Sequence, residues 1–196
     1  NAPVTATITV SANANGCPGP DKTFTITVNP TADMNQPANQ VLCNGSSTTT
    51  ISFNGTVNGT AYNWTNSNPS IGLGASGTGD IGAFTAINNS NIPVTATITV
   101  LASANNCNGQ TRTFTITVNP TAIVLQPANQ DLCNGSTSDA VVFLSNVNGT
   151  TFTWTNNNTA IGLGASGSGD IDAFTVTNTT NAPLTATITV SPLAGS

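Results

Sequence analysis

Two aspartates stand in near-identical surroundings, Asp80 in IGLGASGTGDIGAF (71–84) and Asp170 in IGLGASGSGDIDAF (161–174). A carboxylate among glycine turns, with turn carbonyls and Asn side chains nearby, offers the oxygen donors that calcium takes. Asp80 and Asp170 are therefore the candidate calcium ligands. One carboxylate per copy is less charge than such sites usually carry. An aspartate that hydrogen-bonds its own turn backbone explains the pattern without a metal. No other cofactor is called for, and zinc is disfavoured by the absence of histidine and of any close cysteine pair.

Catalysis has little to work with. Without histidine there is no Ser-His-Asp or Cys-His nucleophile. Acidic pairs would have to come from Asp alone, since all seven acidic residues are Asp, and one recurring Asp per copy is not a dyad. The stretch GLGASGTGD looks like a phosphate loop only on the surface. A strand rather than a helix follows it, and no Walker lysine is present. The chain reads as a non-enzyme. Lys22 and Arg112 are its only basic side chains, at a net charge of −5. Nucleic acid and anionic lipid are thereby excluded as partners, because neutralising phosphates takes several cations.

The remaining chemistry is that of surfaces. Thr5, Thr7, Thr9 and Thr23, Thr25, Thr27 stand at every second position of two strand-like runs. They can form a regular hydroxyl and methyl array of the Thr-x-Thr kind that ice-binding proteins present. The plainer reading is that Thr forms strands well and keeps an exposed face soluble without charge. Tyr62 and Trp64 share a face and could stack on a sugar ring, but a core anchor is the expected role of such a Trp.

Four cysteines recur in two registers, Cys17 with Cys107 and Cys43 with Cys133. An even count in a loop-rich β-protein suggests disulfides and an oxidising compartment. Cys43–Cys107 pairs within one unit and is preferred. The alternative pairs Cys17 with Cys43 and Cys107 with Cys133.

The elements that must position these groups are strands. NAPVTATITV (1–10) returns as NIPVTATITV (91–100) and NAPLTATITV (181–190), a spacing of 90 residues. Val4, Ala6, Ile8 and Val10 alternate with threonines, the period of a half-buried strand. TFTITV (23–28) alternates likewise, with Phe24, Ile26 and Val28 expected inward, and pairs with 4–10 as a hairpin. Further strands are expected at 48–53, at 60–65 and from Phe84, separated by Asn-Gly turns. About seven short strands per unit give an all-β fold of tandem immunoglobulin-like β-sandwich repeats. With boundaries at the Asn-Pro steps, residues 1–30 are the C-terminal hairpin of a preceding repeat. Residues 31–120 are a complete repeat, and 121–196 are the next repeat without its last strand. That strand is expected from a longer chain or an identical neighbour. No run of 18 apolar residues spans a membrane.

The order VLCNGS, ISFNGTVNGT, AYNWTNSNPSIGLGASGTGDIGAF, PVTATITV and NNCNGQTRTFTITVNP resembles the PKD-like, immunoglobulin-type repeats of giant Bacteroidota cell-surface adhesins, of the SprB-like gliding-motility kind. The WDFGDG-like strand of PKD domains is replaced, Trp64 being followed by Thr65 and Asn66. The resemblance implies an extracellular, cell-surface location and a stalk of repeats in an adhesive filament, without catalytic residues. Its partners would be neighbouring repeats of the same or identical chains and a surface or polysaccharide. The alternative reading is a carbohydrate- or ice-binding module that uses the threonine face.

Overall fold

The computed structural model describes residues 1–194. They contain no α-helix, only strands and two three-residue 3-10 turns, Pro69–Ile71 and Thr159–Ile161. The chain forms two compact units. The first comprises Asn1–Leu42, Ser46–Ala86 and Thr95–Thr117, and the second Cys43–Gly45, Ile87–Val94 and the chain from Val118.

The first unit begins with strand β1 (Val4–Val10), two short strands β2 (Asn13–Ala14) and β3 (Cys17–Pro18) at the tip, and β4 (Lys22–Val28). β1 and β4 form an antiparallel hairpin in the register Val4↔Val28, Ala6↔Ile26, Ile8↔Phe24. The expected strands are present, but the expected inward burial is not. Every residue of both strands is exposed. The hairpin is a two-stranded sheet, and no second layer covers its apolar side among the described residues.

A five-stranded sheet follows, built from β5 (Gln40–Cys43), β6 (Ala61–Asn66), β7 (Ser76–Thr78), β8 (Val94–Ala104) and β9 (Cys107–Asn119) in the order β5-β9-β8-β6-β7. Here the alternation does its expected work. Ala96, Ile98, Val100 and Ala102 of β8 and Phe114, Ile116 and Val118 of β9 are buried, while their threonine neighbours face outward or stay half-buried. Burial of each Ile, Val or Phe among them is worth about 1.5–3 kcal/mol. Trp64 of β6 stands opposite Val100 and is buried with them.

The facing layer is less regular than the sequence suggests. Residues 48–53 and the stretch from Phe84 form no continuous strand. The layer is joined by the isolated bridges Ser47↔Thr85 and Ile51↔Ile81, with the Thr48 N–H donating to the Phe84 carbonyl at 2.9 Å. Side chains stand in for the missing ladder. The Thr48 hydroxyl accepts the Phe84 N–H at 2.9 Å, the Gln40 carbonyl oxygen accepts the Thr49 N–H at 3.0 Å, and Asn35 accepts the Asn54 N–H at 2.8 Å. A chain so rich in Thr, Asn and Gln can satisfy backbone donors this way, at the expense of regular pairing. Ile51, Phe53, Ile81 and Ala86 from this layer are buried and complete an immunoglobulin-like β-sandwich core.

The second unit repeats the plan with β10 (Thr151–Asn156), β11 (Ser166–Ser168) and β12 (Ile188–Leu193) in the order β11-β10-β12. The bridges Thr137↔Thr175 and Val141↔Ile171 recur. Phe143, Trp154 and Ile171 form its buried cluster, with Val141, Phe152, Leu163, Phe174, Ile188 and Val190 packed against it and only partly buried. The expected strand over 181–190 is shorter than predicted: only Ile188–Leu193 is a strand, because only this part pairs with β10. Leu184–Thr187 has no second neighbour among the described residues.

Candidate functional site

Hairpin β1–β4 carries the threonine array. Its register sets Thr5 opposite Thr27, Thr7 opposite Thr25 and Thr9 opposite Thr23, so all six lie on one face. The hydroxyls of Thr5 and Thr27 are 2.9 Å apart and hydrogen-bonded. The same contact recurs between Thr95 and Thr117 at 2.9 Å in the five-stranded sheet. The opposite face of the hairpin is a strip of Val4, Ile8, Val10, Phe24, Ile26 and Val28, all exposed.

The second unit holds an open groove of about 790 Å³. Its floor is apolar, with Val141, Phe143, Ile161, Ile171, Ile188 and Val190, and Gln126, Asn129 and Asn178 stand among the polar groups along it.

Asp80 and Asp170 are structural acceptors. Asp80 Oδ1 accepts the Phe53 N–H at 2.9 Å and Asp170 Oδ1 accepts the Phe143 N–H at 2.9 Å. The partner is a distant segment of the facing layer, not the aspartate's own turn. Among the described residues no three His, Cys, Asp or Glu side chains converge in a way that could hold a metal ion.

The glycine-rich stretch builds a turn and a packing surface. Asn68 Oδ1 accepts the Ser70 N–H at 3.2 Å at the start of the 3-10 turn, and Gly72 ends it at φ 96°, in the left-handed region. Gly77 lies against the Trp64 indole so closely that a Cβ there would overlap the ring, and Gly167 does the same for Trp154. Trp64 and Trp154 are thus core anchors rather than sugar platforms. Their Nε1 atoms are buried and have no hydrogen-bond partner among the described residues. Tyr62 and Phe53 rings sit 5.6 Å apart in a tilted pair, as do Phe152 and Phe143 at 5.7 Å. Burial raises the Tyr62 phenol above its ordinary value, with the charges of Asp33 and Asp80 adding to it.

Asp33 and Asn66 are organising residues that the sequence did not single out. Asp33 accepts the Thr56 N–H at 2.6 Å and the Thr56 hydroxyl at 2.9 Å, and the Thr56 N–H above all holds its carboxyl below the usual carboxylate range. Asn66 donates to the Leu73 carbonyl at 2.9 Å and the Gly74 carbonyl at 3.2 Å and accepts the Asn68 N–H at 3.0 Å. Asn156 repeats all three contacts at 3.0, 3.2 and 3.0 Å. The available signal was the repetition of Trp-Thr-Asn at both sites.

All four cysteines are free thiols, Cys17, Cys43 and Cys133 exposed and Cys107 half-buried. Neither the Cys43–Cys107 bridge nor the pairs Cys17–Cys43 and Cys107–Cys133 are formed. For the preferred pair the reason is strand geometry. The N–H of Asn44, next to Cys43, bonds the carbonyl of Asn119 at the far end of β9, whereas Cys107 is the first residue of that strand. The 13 residues of β9 span roughly 40 Å, far beyond the roughly 7 Å between Cα atoms that a disulfide tolerates.

No family model matches the chain, and no curated protein matches it. Among solved structures the chain is similar to one described as the crystal structure of DIP-gamma IG1+IG2. The identity is 8% and the TM-score 0.43, over 82% of this chain and 95% of that one.

Proposed function

We propose that the chain is part of a structural, adhesive stalk in a large secreted cell-surface protein, of the kind that Bacteroidota gliding-motility adhesins exemplify. The observation that carries this reading is the duplication of a whole scaffold rather than of a reactive centre. Phe53–Asp80, Asn66–Leu73 and Trp64–Gly77 in one unit recur as Phe143–Asp170, Asn156–Leu163 and Trp154–Gly167 in the other. What repeats is the means of holding a sandwich together. Tandem modules of this kind set reach and stiffness, and hydrogen-bonded strands bear load. The near absence of cations and the missing histidine leave such a chain no role in catalysis or nucleic-acid binding.

The test is localisation. An antibody raised against the 196-residue chain should label the surface of intact, unpermeabilised cells of the source organism. Label that appears only after permeabilisation would overturn the reading.

A second reading rests on the six paired threonines of the β1–β4 hairpin. Their ranks suit an ice lattice or a polysaccharide surface. Thermal hysteresis, or binding on a glycan array that is lost in Thr7→Lys, would support it. Neither response from the folded chain would remove it.

A further inference from the structure

Four places on the outward side of the facing layer change from polar to apolar between the units. The first unit carries Asp33, Asn35, Ser52 and Asn54 there, and the second carries Ile123, Leu125, Val142 and Leu144, 90 residues on. The inward neighbours keep their apolar kind, Met34 and Phe53 becoming Val124 and Phe143. Ile123, Leu125, Val142 and Leu144 are 59%, 53%, 61% and 57% exposed. That exposure belongs to the plan of the sandwich. Asp33, Asn35, Ser52 and Asn54 are exposed too, in a unit whose core β9 closes, so no strand of the plan covers this side among the described residues.

In the first unit these side chains serve the backbone. Asp33 holds the Thr56 N–H, and Asn35 accepts the Asn54 N–H at 2.8 Å and donates to the Ser52 carbonyl at 3.3 Å. Aliphatic side chains can do none of this. The second unit keeps only the backbone link, from the Leu125 N–H to the Leu144 carbonyl at 2.9 Å, beside the bridge Val124↔Ser145. That antiparallel pairing sets Leu125 opposite Leu144, with Ile123 and Val142 to either side on the same face. The four side chains make a flat aliphatic patch on the order of 400 Å², the size at which an exposed patch marks an interaction site. A solvent-facing Leu in place of Asn gains the isolated unit nothing, because its apolar area stays in water.

We infer that this face is a homodimer contact. The second units of two molecules pack face to face, Leu125 of one copy against Leu144 of the other and the reverse, as an isologous contact requires. Aliphatic sheet faces pack on one another in this way, about 10 Å apart. Area sets the strength: two patches with their polar margins bury on the order of 1,000 Å², the size of a weak, reversible interface. Charge selects the partner. Each copy carries −5, so copies repel wherever acids meet, but none of the four patch residues is charged. Residues 118–196 contain no Lys or Arg to seek an acidic partner, and the patch has no aromatic ring on which a sugar would stack. In the first unit Asp33 takes the place of Ile123, and the cost of burying its carboxylate against a second copy bars pairing there. One face per molecule pairs, and assembly stops at the dimer. The contact rests on this face alone and holds whether or not the chain is a stalk.

Sedimentation velocity on the 196-residue chain, from about 10 μM to about 1 mM, tests it. A reversible dimer should form toward the upper end with no larger species. A chain that stays monomeric throughout overturns the proposal, and species that keep growing overturn the closed contact. Leu125→Asn with Leu144→Asn installs the residue types that the first unit already carries at Asn35 and Asn54. This double variant should weaken the dimer about 10-fold or more, and undiminished dimerisation overturns the proposal. Methyl NMR of the unmodified chain reads the same point without a variant. The Leu125 and Leu144 signals should shift with concentration, and those of Leu163, packed against the core cluster, should not. Shifts confined to other residues place the contact elsewhere and overturn it. A chain that stays monomeric yet binds an alkyl-coated surface through this face would show an apolar ligand in place of a second copy, which overturns it as well.

Discussion

Asp80 accepts the backbone N–H of Phe53 at 2.9 Å, tying the end of the glycine-rich stretch to the facing layer of the sandwich. The carboxylate replaces a carbonyl that regular pairing would have supplied. Asp80→Ala leaves that N–H without its acceptor and should cost about 1–3 kcal/mol in urea unfolding. Asp170→Ala should act alike on the second unit. Because the carboxylate is engaged by the backbone, the melting temperature should be the same in calcium and in chelator.

The Trp64–Gly77 contact leaves no room for a side chain. Gly77→Ala should destabilise the first unit by about 1–3 kcal/mol through overpacking, and Gly167→Ala the second. Gly82→Ala is the control: its Cβ would meet nothing within 4 Å, and the change should stay within about 0.5 kcal/mol. Thermal unfolding followed by tryptophan fluorescence separates the cases.

Asp33 should make the first unit sensitive to acid. Its carboxyl is held below its ordinary value of 3.8 by the Thr56 N–H and hydroxyl. A folded value below the unfolded one means that the stabilisation is fully present above the unfolded value and is lost as pH falls through the folded value. NMR titration of the Asp33 carboxyl carbon should give a midpoint below 3.8. Asp33→Asn should remove that part of the acid dependence. The second unit has Ile123 at the matching place, where Asn146 accepts the Ile123 N–H at 2.8 Å, and should show no such component.

The cysteines should behave as thiols. Alkylation after denaturation without reductant should modify Cys17, Cys43, Cys107 and Cys133 alike, as read by mass spectrometry. An intact Cys43–Cys107 bridge would require β5 and β9 to pair in a different register.

The strands were legible where burial and period agree. Ala96–Val100 and Thr113–Asn119 alternate apolar and polar residues, and the structure buries the apolar set. The same alternation misled at 23–28, because period 2 reports which side chains share a face and not whether anything covers that face. Residues 48–53 failed as a strand for another reason. Only Thr48 and Ile51 donate to backbone carbonyls, those of Phe84 and Ile81, while the Thr49 and Phe53 N–H groups go to the side chains of Gln40 and Asp80. Contacts to residues so far apart along the chain leave no local pattern to read. The aspartates were noticed because they recur, but their hydrogen-bond partners, the Phe53 and Phe143 N–H groups, lie on another segment.

The central claim, a chain of sandwich modules built to bear load, is met most directly by single-molecule pulling between the chain ends. The first unit, closed by β9, should resist and then release in one step. A full 90-residue unit corresponds to a contour length of about 30 nm. Extension of the whole chain without a resolvable unfolding step would contradict the account.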